Sequence, residues 1–201
     1  FPDIDIRIEA SDTMLDLDVA DVDLAVRYAP VARVPTGARR LFGESVTVMA
    51  SPGLLKAGPA LRRPADVLQY TLIESGDAYA PHLAWLSWHR WLEANDLAKQ
   101  QPKRWLTLNY AYQMVQAALT GQGLVLARPP LVADALARGE LVELLPQTRL
   151  HSPLAYWLML APRSAARPEV KAFADWVLAQ AVATRQVIGE GDDPDLVNDL
   201  D

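Results

Sequence analysis

Residues 109–128 carry the pattern that most narrows the choice of fold. Asn109 opens a stretch in which Tyr110, Met114 and Ala118 recur at helical spacing. Gly121-Gln122-Gly123 stops it, and Leu124-Val125-Leu126-Ala127 follows as an unbroken apolar run before Arg128. A short run that is apolar throughout reads as a strand covered on both faces. A helix feeding such a strand through a glycine turn is half of a layered α/β unit. The order of the parts excludes a nucleotide loop. A dinucleotide-binding Gly-x-Gly follows a strand and opens a helix, whereas this one closes a helix and opens a strand. Its work is to stop the helix and turn the chain tightly into the sheet.

The alternation continues in both directions. In residues 3–9, Ile4, Ile6 and Ile8 face one way and charged residues the other, which predicts a strand at a sheet edge. Residues 11–21 read as a short helical connection and 24–28 as a buried strand. A loop with Pro30, Pro35 and Gly37 spans 29–40. A long strand at 45–50 ends at Ser51-Pro52-Gly53. A short helix at 61–68 precedes a strand at 70–74 and a loop at 75–77. Residues 81–95 form a predicted helix whose stripe is Trp85, Trp88 and Leu92; Trp91 lies off that face, where it suits a subunit interface. Further strands fall at 105–108, 141–145 and 156–160, and a helix at 130–137. The last helix, 168–181, carries Val170, Phe173, Ala174 and Val177 as its apolar stripe. Strands alternating with helices predict a parallel-rich sheet.

Composition bounds the function. The chain has 201 residues, 51% of them apolar, enough for one large domain or two lobes. No run approaches a membrane span. The net charge is −6, and the six acids of residues 187–201 account for all of it. That stretch also holds Gly, Pro and Asn, and it predicts a disordered acidic tail. The balanced body offers no basic stripe for nucleic acid. There is no cysteine, hence no disulfide, thiolate nucleophile or thiolate metal site. His82, His89 and His151 lack a second ligand at metal spacing. Asp12, Asp16, Asp18, Asp21 and Asp23 are spaced as a solvated surface. No nucleophile elbow and no phosphate-binding loop is present. The expectation is a protein without catalytic activity, metal or cofactor.

Several motifs, in order, carry a family likeness. They are residues 3–11 with 21–28, then Leu41-Phe42-Gly43-Glu44-Ser45-Val46-Thr47-Val48 running to Ser51-Pro52, then 109–127. Gly139-Glu140-Leu141-Val142, Tyr156-Trp157-Leu158 and a helix with Phe173 and Trp176-Val177-Leu178 complete the series. Their order and spacing over residues 2–181 resemble the effector-binding domain of LysR-type transcriptional regulators. The branch is the one with regulators of glycine cleavage and of β-lactamase induction. The resemblance implies an α/β fold of the type 2 periplasmic-binding-protein kind, two α/β lobes joined by two crossing strands. The crossings would lie near residues 45–51 and within 144–162. Residues 1–45 and 162–186 would form a discontinuous lobe I, residues 46–161 lobe II, and 187–201 the tail. That family's domain begins with one more strand and helix, so the first lobe is expected to be truncated at its N-terminus. The family's winged helix-turn-helix head is also missing, and DNA would be reached only through it. Residues 75–88 form a longer connection than the family usually has.

The resemblance also implies a small-molecule effector between the lobes. Helix N-termini facing such a cleft suit an anion, so a carboxylate-bearing effector is favoured. Asn109 and the Tyr110 amide would touch it, or Asn109 would simply cap its helix. Ser11 and Ser75, after strands, match hydroxyls that contact ligand in the family; each could equally bond its own turn. Tyr156 is either a ligand contact or core. Arg128 pairs an anionic ligand or a neighbouring side chain, and Thr47 is a further candidate on a crossing strand. The implied protein is a cytoplasmic, homodimeric or higher oligomeric regulator with no membrane contact. The alternative is an extracytoplasmic solute-binding protein of the same fold.

Overall fold

The computed structural model describes residues 4–11, 16–17, 19–76 and 87–191. In chain order its elements are β1 (Leu24–Ala29), β2 (Arg39–Ala50), α1 (Pro52–Ala57), β3 (Thr71–Ser75), α2 (Trp88–Ala94), β4 (Arg104–Leu108), α3 (Ala111–Leu119), β5 (Leu124–Ala127), α4 (Ala133–Ala137), β6 (Val142–Leu144), β7 (Leu150–Leu160) and α5 (Pro168–Ile188). The chain divides into two compact units. Unit 1 holds residues 1–43 and 154–201, and unit 2 holds residues 44–153. The chain therefore passes between them twice, along β2 at Gly43–Glu44 and along β7 at Pro153–Leu154.

Unit 2 is built on a sheet in the order β4-β3-β5-β2-β6. β3 runs parallel to β4 and β5, with Leu72 opposite Leu124 and Ile73 opposite Val125; β2 runs antiparallel to β5 and to β6. The central strands are buried on both faces, so Leu72, Ile73, Leu124 and Val125 lie in two cores on opposite sides of the sheet. On one face Trp88 and Trp91 meet edge to face, with centroids 5.4 Å apart. Their indole N–H groups donate to the carbonyls of Ile73 (2.9 Å) and Thr148 (3.1 Å), which removes the cost of burying them. Trp91 is thus core, not interface, because its nitrogen has an interior partner. On the other face α3 packs Met114, Ala117 and Ala118 over Ile73 and Val125.

The glycine turn behaves as its sequence predicts. Gly121 has φ +77°, a left-handed conformation that favours glycine. The Gly121 and Gln122 amides donate back to the carbonyls of Ala118 and Ala117, ending α3. Gly123 is required by space: a Cβ there would lie 2.5 Å from the Thr71 carbonyl oxygen.

In unit 1, β1 and β7 pair antiparallel, Leu24 opposite Leu160 and Ala29 opposite Ala155. Leu41, Leu158, Ala174 and Ala181 form its core beneath α5. The Arg163 guanidinium donates to the carbonyls of Leu17, Ala20 and Val22 and so gathers the turn before β1.

Several elements differ from the sequence expectation. Residues 4–11 form no strand, and Ile6 and Ile8 stand 55% and 88% exposed. Alternation makes a strand only where a neighbour completes the ladder, and none does so among the described residues. Of the predicted helix at 11–21, residues 12–15 and 18 lie outside the described residues; of the rest, 17 and 19–21 are turn or bend, and 11 and 16 have no regular structure. β2 begins at Arg39, inside the predicted loop. Ser51-Pro52-Gly53 starts α1 rather than merely ending a strand, since proline suits a first helical turn. The helix at 61–68 is a 3-10 turn, Pro64–Gln69. Residues 77–86, including Trp85, lie outside the described residues. α5 runs on to Ile188, where Gly189 at φ +71° stops it. Glu190 lies beyond it and is not a loose tail residue: Gly43 N–H donates to both its carboxylate oxygens, at 2.9 and 3.0 Å, and Arg40 pairs with it. Residues 192–201 lie outside the described set.

Candidate functional site

β3, β4 and β5 are parallel, so their C-terminal ends fall on one edge of the unit 2 sheet. In open α/β sheets that edge is where ligands collect. Three short segments leave the sheet there: Gly76 after Ser75, the last residue of β3, Asn109 and Tyr110 after β4, and Arg128 after β5. The Gly76 amide donates to the Leu108 carbonyl at 2.9 Å, which holds the first two side by side. The Asn109 Oδ1 lies close over Gly76, 2.9 Å from where a Cβ would stand.

Between these segments lies a cavity of about 600 Å³ within unit 2. That is the size of a small-molecule site. Ser75, Asn109, Tyr110 and Arg128 all line it. Its floor is apolar, with Val46, Met114 and Val125 among the lining residues.

The N-cap of α3 is Tyr110, and no side chain caps it. The Asn109 side chain therefore does not serve as the cap. The first amides of the helix point toward the N-terminus, with the positive end of the peptide dipoles. Tyr110 and Tyr112 stack across this end, with ring centroids 5.8 Å apart and planes 18° apart. Both rings are largely exposed.

Arg128 contacts Glu44, Nη1 to Oε1, at 3.3 Å, and the Glu44 side chain is 0% exposed. Glu74 also lines the cavity. Its carboxylate accepts from the backbone N–H groups of Ser75 (3.0 Å) and Trp88 (2.9 Å). Burial pushes its pKa above the usual carboxylate range, against the pull of those two bonds.

The remaining sequence candidates are not among the residues that line this cavity within unit 2. Thr47 is fully buried, and its hydroxyl donates to Glu143 at 2.8 Å. Glu143 is gripped in turn by Arg149, Nε to Oε1 and Nη2 to Oε2, both at 2.5 Å. Ser11 and Tyr156 belong to unit 1. Ser11 is exposed, and the Tyr156 ring packs between Tyr28 (4.9 Å) and Phe42 (5.0 Å). Sequence reasoning passed over Glu74, Glu44 and Tyr112. Glu74 had a signal, a lone acid at the end of an apolar strand. Glu44 had none, because only the fold brings it to Arg128.

Residues 1–182 match the family model described as the LysR substrate binding domain. The chain is 30% identical over 190 residues to the glycine cleavage system transcriptional activator of Escherichia coli (strain K12), covering 92% of this chain and 58% of that protein. It is 29% identical over 181 residues to the HTH-type transcriptional activator AmpR of Pseudomonas aeruginosa, covering 90% and 57%. The chain thus spans less than two thirds of the curated relatives' length. Among solved structures, the effector domain of AmpR from Pseudomonas aeruginosa superposes with a TM-score of 0.62 at 27% identity, over 94% of this chain and 87% of that one. The effector binding domain of AmpR from Citrobacter freundii has the same fold, with a TM-score of 0.58 at 20% identity. These relatives are described as transcriptional regulators, not enzymes. Two α/β units joined by two crossing strands are the type 2 periplasmic-binding-protein arrangement that the motifs imply, and the chain belongs to the LysR substrate-binding domain family.

Proposed function

We propose that this chain is the ligand-sensing part of a LysR-type transcriptional regulator. It binds a small-molecule effector at the C-terminal ends of β3, β4 and β5. The observation that carries this reading is the gathering of Ser75, Asn109, Tyr110 and Arg128 on one unit 2 cavity, in a chain whose relatives are transcriptional activators. A carboxylate is the group this site suits. The α3 N-terminus offers backbone N–H groups and positive dipole ends, Ser75 and Asn109 offer neutral polar groups, and Arg128 offers a planar cation. The Tyr110–Tyr112 stack and apolar floor suit the body of the ligand. The chain catalyses nothing. It works in the cytoplasm as a homodimer or higher oligomer and reaches DNA through a separate head. Ligand binding acts by favouring one arrangement of the protein over another.

The test begins with a library of small carboxylic acids, screened by thermal shift. Hits are then titrated by calorimetry into the wild type and Asn109→Ala. Binding weakens about tenfold in the variant, the loss of one hydrogen bond to a charged group, while the melting temperature changes little. Unchanged affinity for every hit would remove Asn109 from the site.

A further inference from the structure

Among the described residues of unit 2, two carboxylate–guanidinium pairs have both side chains mostly shielded from solvent. Glu143 and Arg149 meet through two nitrogens and two oxygens, with Thr47 as a third anchor. A bidentate pair of this kind is committed to structure. One contact between Glu44 and Arg128, Nη1 to Oε1, is 3.3 Å long, more than is usual for such a bond. Arg128 lines the cavity, whereas the Glu44 carboxylate is wholly buried behind it. Arg128 stands at the C-terminal end of β5, the edge where the ligand is proposed to sit. Glu44 is the first residue of unit 2 on β2, the residue at which the chain arrives from unit 1.

We propose that Glu44 is an internal competitor for the effector's anionic group, holding Arg128 until a ligand carboxylate takes it. This rests on the reading of the cavity as the effector site. Two anions share one guanidinium, and each lowers the affinity of the other for it. Glu44 thus sets the affinity of the site without touching the ligand, as a specificity-determining residue that acts through Arg128. The competition also ties occupancy of the cavity to β2 at its passage between units. A ligand that draws Arg128 away weakens the hold on the buried carboxylate at that residue. A neutral ligand of the same shape leaves the pair intact.

Acetate is the simplest probe, and acetamide, similar in size and uncharged, is its control. Each is titrated into the 201-residue chain carrying a labelled methyl on Met114, which lines the cavity. Glu44→Gln removes the competing charge. Acetate then saturates the Met114 signal at a concentration about tenfold lower than in the wild type, the strength of one hydrogen bond to a charged group. Acetamide gains nothing. If Glu44→Gln does not fold, Glu44→Asp withdraws the carboxylate by one methylene and gives a smaller gain in the same direction. Acetate affinity that is equal or weaker in the folded variant overturns the competition and leaves the cavity reading standing. An equal gain for acetamide also overturns it, since charge is then not what was released. A Met114 signal that acetate moves in neither protein removes the cavity reading and the competition together.

Discussion

Residues 4–9 and β3 are both short segments rich in β-branched and apolar residues, and their fates differ. In β3, Leu72 and Ile73 are fully buried, with β4 on one side and β5 on the other. In the first segment Ile6 and Ile8 stand in solvent, and the backbone forms no strand. The alternation of residues 4–9 is the more regular pattern of the two. What separates them is the neighbour: a strand's ladder and its buried face both come from other segments. In unit 2 those neighbours lie in residues 44–153 themselves, and the cavity lies at the edge of the sheet they form.

The contrast can be broken at its strong end. Trp88→Ala empties a fully buried site and removes the indole bond to the Ile73 carbonyl. We expect a loss of about 3–5 kcal/mol in the urea stability of unit 2, together with the cavity it supports. A loss under ~1 kcal/mol would mean that the tryptophan pair is not the centre of this core.

An intermediate effect sharpens the contrast within unit 2. Burial raises the Glu143 pKa, but the bonds from Arg149 and Thr47 outweigh it and hold the group below its ordinary range. Such a carboxylate stabilises the fold at pH above its unfolded value of about 4.3. The contribution is lost as pH falls through the depressed folded value. Glu74 has the opposite sign: burial raises its pKa, so its contribution is present at low pH and lost as pH rises through the folded value. Urea midpoints should therefore fall on acidification below the ordinary carboxylate range, and fall less in Glu143→Gln than in the wild type. An equal fall in the two proteins would assign the acid sensitivity to other groups.

The smallest effect belongs to the first segment. Ile8→Ala alters a side chain already in water, and stability should change by no more than about 0.5 kcal/mol. A larger loss would show that Ile8 is covered in solution.

The sequence made the core of unit 2 legible because its signals are local. The apolar run of β5, the glycine stop at Gly121 and the helical spacing of Met114 and Ala118 all lie within one stretch. The cavity was partly legible for the same reason. Ser75 ends a strand, Asn109 and Arg128 each follow one, and parallel strands bring their C-terminal ends together. Pairings across the fold were not legible. Nothing near Glu44 announces Arg128, and nothing near Thr47 announces Glu143, which spends the hydroxyl that a crossing-strand reading would offer to a ligand. The reach of α5 to Ile188 was hidden too, because the acidic composition beyond it masked the Gly189 stop and the Glu190 contacts with Gly43 and Arg40.

We propose that the effector binds at the C-terminal ends of β3, β4 and β5. The direct measurement is a methyl NMR map of the whole chain titrated with a carboxylic acid that raises its melting temperature. Met114, Val115 and Leu131, which line the cavity, should shift first and saturate together. Shifts confined to unit 1 methyls such as Leu158 and Val177, with those three unmoved, would contradict it.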